Sequence, residues 1–223
     1  MLPRRLSIIA LLLGSIVLLD VLPAQPQSDL QALQTTFNQR RRERKEGVSR
    51  GGVCGVAPGQ IDKVFALWSD RPLFIWQSDQ QVALSSLQVL HTSTDEIVWK
   101  KALAVTDQNA AYTGKPLQPG QIYTWQLSFL QAGRPQTQEY RFQVLSATQR
   151  DSIALELQRL IQPLQKSGAT SETIALRQSR YFADRGLLSD ALQVLATVPQ
   201  PSAATQETLR SVIRFACSPG AGS

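Results

Sequence analysis

From Lys63 to Leu145 apolar residues fall in short runs with period two, and after Ser146 they recur every three to four positions. The first pattern predicts strands and the second helices. VFALW (64–68), PLFIW (72–76), LQVLH (87–91), EIVWKKAL (96–103), AAYTG (110–114), IYTWQLSF (122–129) and EYRFQVL (139–145) are the strand candidates. SDRP, TSTD, TDQN, LQPG and QAGRP separate them and are rich in turn formers. So many short strands in about eighty residues predict an antiparallel β-sandwich rather than a parallel sheet.

One strand has a distinctive entrance. Tyr123, Trp125, Leu127 and Phe129 alternate with Thr124, Gln126 and Ser128, and Leu117, Pro119 and Gly120 precede them. The spacing L-x-P-G-x-x-Y resembles the entrance to the penultimate strand of fibronectin type III and immunoglobulin-like sandwiches. That resemblance implies a Leu117 plug, a turn at Pro119 and a tyrosine corner at Tyr123. Trp76, four residues after Pro72, is then the tryptophan of an early strand facing the same core, and Trp125 is framework as well.

Past Ser146, Ile153, Leu157, Leu160 and Leu164 share one face of a helix over 149–165. Further helices are expected at 172–184, 189–197 and 203–216. The second is capped by Thr170 or Ser171 and closed by Gly186. Phe182, Gly186, Ala191 and Leu195 are spaced like a tetratricopeptide-type hairpin, in which small Ala191 lets two helices approach and Gly186 turns the chain. The expected fold class is α+β: an N-terminal immunoglobulin- or fibronectin-III-like antiparallel sandwich (51–146), a small C-terminal helical domain of about four helices (147–216) and a short tail (217–223). The helices are expected at one edge or end of the sandwich.

Charge changes this picture little. The formal net charge is +6, yet residues 51–223 hold 15 Lys/Arg against 13 Asp/Glu. The excess lies mainly at the N-terminus, which argues against nucleic acid as a partner. Arg4 and Arg5 precede the apolar run Leu6–Leu19, and Leu22-Pro23-Ala24 supplies small residues for cleavage. Residues 1–24 therefore read as a signal peptide, with an uncleaved anchor as the alternative. Residues 25–50, including QRRRERKEG, read as a flexible basic linker. Membrane contact is expected only through an uncleaved leader or this linker, and the location is extracytoplasmic, in the periplasm or secreted.

The opening Arg50–Gly55 (RGGVCG), the P-x-x-x-W strand (Pro72–Trp76), the L-x-P-G-x-x-Y-x-W entrance and G-L-x-x-D-A-L (Gly186–Leu192) occur in that order. Together they resemble the cyanobacterial family called domain of unknown function 928, over about residues 50–200. The resemblance implies a cyanobacterial, extracytoplasmic protein with no assigned activity. Its pattern is expected to carry a second cysteine near the end of the Tyr-Trp strand, where this chain has Phe129 and Leu130.

The second cysteine here is Cys217. In an exported chain two cysteines invite a disulfide, and a Cys54–Cys217 bridge would tie the start of the sandwich to the end of the helices. The alternative is two unpaired thiols. His91 is the only histidine, so His-rich metal sites are excluded and any Ser or Cys triad would need it. There is no G-x-S-x-G elbow, and GGVCGVAPGQ lacks the Lys-Ser/Thr of a phosphate loop. The expectation is a non-enzymatic envelope protein without cofactor or metal that binds other envelope proteins. Arg177, Arg180 and Arg185 form the expected contact surface, their charge balanced only by Asp184 nearby in sequence. The rival reading is a carbohydrate-binding module for peptidoglycan or exopolysaccharide, using Trp68 and Trp99.

Overall fold

The computed structural model describes residues 26–42, 52–59, 66–79 and 82–218. Its elements, in order, are α1 (Pro26–Arg42), β1 (Val53–Ala57), β2 (Ala66–Leu67), β3 (Leu73–Ser78), β4 (Val82–His91), β5 (Ile97–Ala102), β6 (Asn109–Ala111), β7 (Ile122–Gln131), β8 (Arg134–Val144), α2 (Ala147–Lys166), α3 (Ser171–Asp184), α4 (Leu188–Ala196) and α5 (Ala203–Cys217). The fold is α+β, with five helices and two sheets among the described residues. A three-stranded sheet has the order β1-β3-β6 and a five-stranded sheet the order β2-β8-β7-β4-β5. All pairings are antiparallel except β2 with β8.

Strand β3 shows how the layers stack. Its run Leu73-Phe74-Ile75-Trp76 is buried throughout. Alternate residues of a strand point to opposite faces. Phe74 and Trp76 join a core with Trp125, Leu127, Phe129 and Phe142 of the larger sheet, whereas Leu73 and Ile75 join a second core with Leu176, Phe182, Leu188 and Leu192 of the helices. The smaller sheet is thus covered on both sides, which is why PLFIW is a continuous apolar run. The helices lie on its outer face, against β1 and β3, rather than at an edge or end.

The residues at the entrance to β7 form a connected unit. Tyr123 is buried, and its hydroxyl accepts the Gln118 N–H at 2.9 Å. Leu117 is buried in the intersheet core, its N–H donating to the Asp70 carbonyl at 3.0 Å. Pro119 is exposed in the turn, and Gly120 has φ +80°, where a side chain would be strained.

Between α3 and α4, Gly186 has φ +77°. Its N–H donates to the Ala183 carbonyl, and the Leu187 N–H donates to that of Phe182, each at 3.0 Å. These bonds satisfy the last carbonyls of α3 in a Schellman motif. Ala191 on α4 is fully buried.

Two elements were not legible. Val53–Ala57, which none of the strand candidates covers, is strand β1, antiparallel to β3. Gly55 is required there: an added Cβ would strike the Tyr140 ring, whose hydroxyl accepts the Gly55 N–H at 2.6 Å.

Within the segment expected as a flexible linker, Pro26–Arg42 instead forms α1 and packs against α3 and α5, and residues 43–50 lie outside the described residues. Composition averaged over the segment concealed a narrow stripe, Leu30, Leu33 and Phe37, whose residues are at most 7 % exposed. The expected leader (1–24) lies outside the described residues, as do residues 219–223 of the expected tail.

Candidate functional site

Helices and sheets meet along Trp68–Leu73, the link between β2 and β3. This link lies outside the sheet ladders, so its N–H groups need other partners, and side chains supply them. The N–H groups of Trp68 and Ser69 donate to Oδ2 and Oδ1 of Asp190 on α4, each at 2.9 Å. Three residues on, Oε1 of Gln193 accepts the Leu73 N–H at 3.0 Å, and its Nε2 donates to the Arg71 carbonyl at 3.1 Å. Spacing of three places both side chains on one face of α4.

A second clamp comes from α2. Ser146 and Gln149 form a reciprocal capping box that fixes where this helix starts. That start positions Arg150, whose Nε donates to the Trp68 carbonyl at 2.8 Å and whose guanidinium pairs with Asp70 at 2.9 Å. The Trp68 indole N–H returns a bond to the Arg150 carbonyl at 3.1 Å, and its ring lies 5.5 Å from that of Phe182. Trp68 is therefore a joint between layers.

Beside this joint opens a groove of about 300 Å³, lined by Leu145, Ile153 and Leu187 and by Gln149, Ser152 and Arg185. Its apolar side chains converge from the end of the larger sheet, the first turns of α2 and the turn before α4. The polar ones are donors and acceptors on the same lining. Such an open hollow suits an inserted side chain better than an enclosed small molecule.

The three arginines expected as a free basic surface are each paired within the chain. Arg177 meets Asp29 at 3.3 Å, Arg180 meets Asp184 at 2.8 Å, and Arg185 meets Glu156 at 2.5 Å. Two of these acids are distant in sequence, on α1 and α2, and proximity along the chain could not reveal them. Arg185 also lies over the Tyr181 ring, 3.6 Å from its centroid, in a cation–π contact.

Tyr181 donates its hydroxyl to Glu156 at 2.8 Å. Burial, aided by that bond, pushes the Tyr181 phenol up to about 12. The Tyr181 hydroxyl, with Arg185 beside it, holds the Glu156 carboxyl below its ordinary value.

Cys54 on β1 and Cys217 at the end of α5 are joined by a disulfide, across the layer formed by the helices and the smaller sheet. His91 faces Gln121 through Nε2 at 3.1 Å and Ser93 through Nδ1 at 3.0 Å, with the Tyr123 ring at its edge. Trp99 stacks on Phe74, packs against Tyr112 and donates its indole N–H to Thr113 at 3.1 Å. Among the described residues no group of three metal-ligating side chains occurs, and no helix is long and apolar enough to cross a membrane.

Comparison with protein-family models, curated proteins and solved structures returned no match to this chain. The site therefore rests on its own geometry. Sequence reading missed Asp190, Gln193, Arg150 and Glu156, which join the layers or neutralise charge. The D-A-L of the hairpin motif contained Asp190, and the signal available was a carboxylate in the first turn of a mostly apolar helix.

Proposed function

We propose that this chain is an exported, non-enzymatic protein of the cell envelope that works by binding other envelope proteins. An immunoglobulin-like sandwich carries a helical layer with one tetratricopeptide-like hairpin. Supporting the sandwich reading, β1 and β2 act as two halves of a first strand. The second and fifth strands (β3, β6) then share one sheet with β1, while the remaining strands flank the sixth (β7) in the other. The Tyr123 corner fits the same reading. The ordered motifs from Arg50 to Leu192 add the resemblance to the cyanobacterial family, and the leader supports export.

The observation that carries the interaction reading is the groove of Leu145, Ile153 and Leu187 with Arg185 on its lining, mounted on the doubly clamped joint. An open apolar hollow with donors beside it can take an apolar side chain of a protein partner and orient it by polar contacts. The glycan-binding reading needs exposed ring faces, whereas Trp68 and Trp99 are half-buried against other aromatic rings.

The test is crosslinking in intact cells followed by purification of the tagged chain and mass spectrometry. A partner in near-equal amount, crosslinked through α2 or the α3–α4 turn, is expected. Recovery of the chain alone would overturn the reading.

A further inference from the structure

Helix α1 is held differently from α2, α4 and α5. The disulfide binds α5 to β1, Asp190 and Gln193 bind α4 to the β2–β3 link, and Arg150 binds α2 to the same link. α1 sits on α3 and α5 through three apolar side chains, Leu30, Leu33 and Phe37. Asp29 adds an ion pair to Arg177 at 3.3 Å, and the Gln34 amide donates to Thr208 at 3.2 Å. Ser28, Gln31, Thr35 and Gln39 are exposed.

The helix is weak by itself. Thr35 and Thr36 sit in its middle, with hydroxyls bonded back to the carbonyls of Gln31 and Ala32. Threonine is a poor interior helix residue, and isolated helices of this length are marginal in water. Its helical form therefore depends on docking. No covalent cross-link holds α1 in its seat, because the disulfide joins β1 to α5.

We propose that α1 is a displaceable plug on a helix-receiving surface formed by α3 and α5. The surface takes an amphipathic helix of defined chemistry: an acid, apolar residues one, four and eight positions later, and an amide at the fifth, as in Asp29, Leu30, Leu33, Gln34 and Phe37. The acid is required because removal of Asp29 takes away the carboxylate that pairs with Arg177 on α3, and an incoming acid restores it. While α1 is seated, its high effective concentration lowers the apparent affinity for any helix in trans. This surface lies apart from the groove of Leu145, Ile153 and Leu187, and the inference does not depend on that reading.

A fluorescent peptide of sequence Pro26–Arg42 tests it by anisotropy against the full chain. Leu33→Glu in the chain unseats α1, and such a chain should bind the peptide at least ten-fold more tightly than the unaltered one. Adding Arg177→Glu should reverse most of that gain, and a peptide carrying D29K should regain it. A folded Leu33→Glu chain that binds the peptide no better than the unaltered chain would overturn the proposal. Equal binding of a scrambled peptide would do the same.

If Leu33→Glu fails to fold, hydrogen exchange on the unaltered chain decides. Amides of α1 should exchange at least ten-fold faster than those of α3 and α5, and equal protection would refute the plug.

Discussion

Asp190 holds Trp68 by the backbone: the carboxylate on α4 accepts the Trp68 N–H at 2.9 Å, and its other oxygen accepts the neighbouring Ser69 N–H at the same distance. Asp190 is 2 % exposed. Hydrogen bonds to a charged group are worth roughly 1.5–3 kcal/mol each, and removing the acceptor strands two N–H groups. Asp190→Ala should therefore destabilise the fold by about 2–4 kcal/mol in urea unfolding, and Asp190→Asn by less. A loss below about 0.5 kcal/mol, the size of an ordinary surface substitution, would remove Asp190 from the account.

The Cys54–Cys217 disulfide closes a long loop, with a sequence separation of 163. Chain entropy sets its contribution at about 5 kcal/mol at most, and measured losses for native disulfides are about 2–5 kcal/mol. Cys217→Ser, or reductant added to the unaltered chain, should lower the urea midpoint accordingly, with spectra showing the sheets retained below the transition. An unchanged midpoint would contradict the bridge as a stabilising tie.

Tyr181 and Glu156 make stability depend on pH at both ends. The folded Tyr181 phenol is pushed up to about 12 from an ordinary value of 10.0. Its contribution is complete below about pH 10 and is lost as pH rises toward 12. Glu156 is held below its ordinary 4.5, chiefly by the Tyr181 hydroxyl, so its contribution is present above that value and lost as pH falls through the lowered one. Tyr181→Phe should remove the highest step from the phenolate absorbance titration and flatten the acid limb of stability. An unchanged titration would exclude the pairing.

Ser179 on α3 is fully buried, and among the described residues its hydroxyl has no hydrogen-bond partner. A buried unsatisfied hydroxyl costs about 1–3 kcal/mol, and alanine is the better helix residue. Ser179→Ala should raise stability, by about 1 kcal/mol in the same urea assay. Destabilisation of that size would show that the hydroxyl is engaged.

The period of the apolar pattern carried much of this fold. Each expected strand overlaps one observed, and four helices fall near their expected limits, because burial of one face imposes the alternation that the eye detects. β1 escaped because its strand character comes from neighbours: Gly55 is present to admit the Tyr140 ring, and locally it resembles a turn.

α1 escaped because three apolar residues suffice for a helix seated on two others. The arginines misled for a related reason. Arg185 and Arg177 find Glu156 and Asp29 only after the helices assemble, so a charge that looked free is neutralised by folding. Long-range polar pairings leave no local periodicity to read.

The groove beside the Trp68 joint is proposed to receive a protein partner. A photoreactive residue at Ile153, compared with one at exposed Lys100 on β5, tests it in intact cells. A discrete crosslinked species is expected from Ile153, absent from the Lys100 control and lost when Leu187→Asp is added to a folded chain. No adduct at Ile153, or equal adducts at both positions, would contradict it.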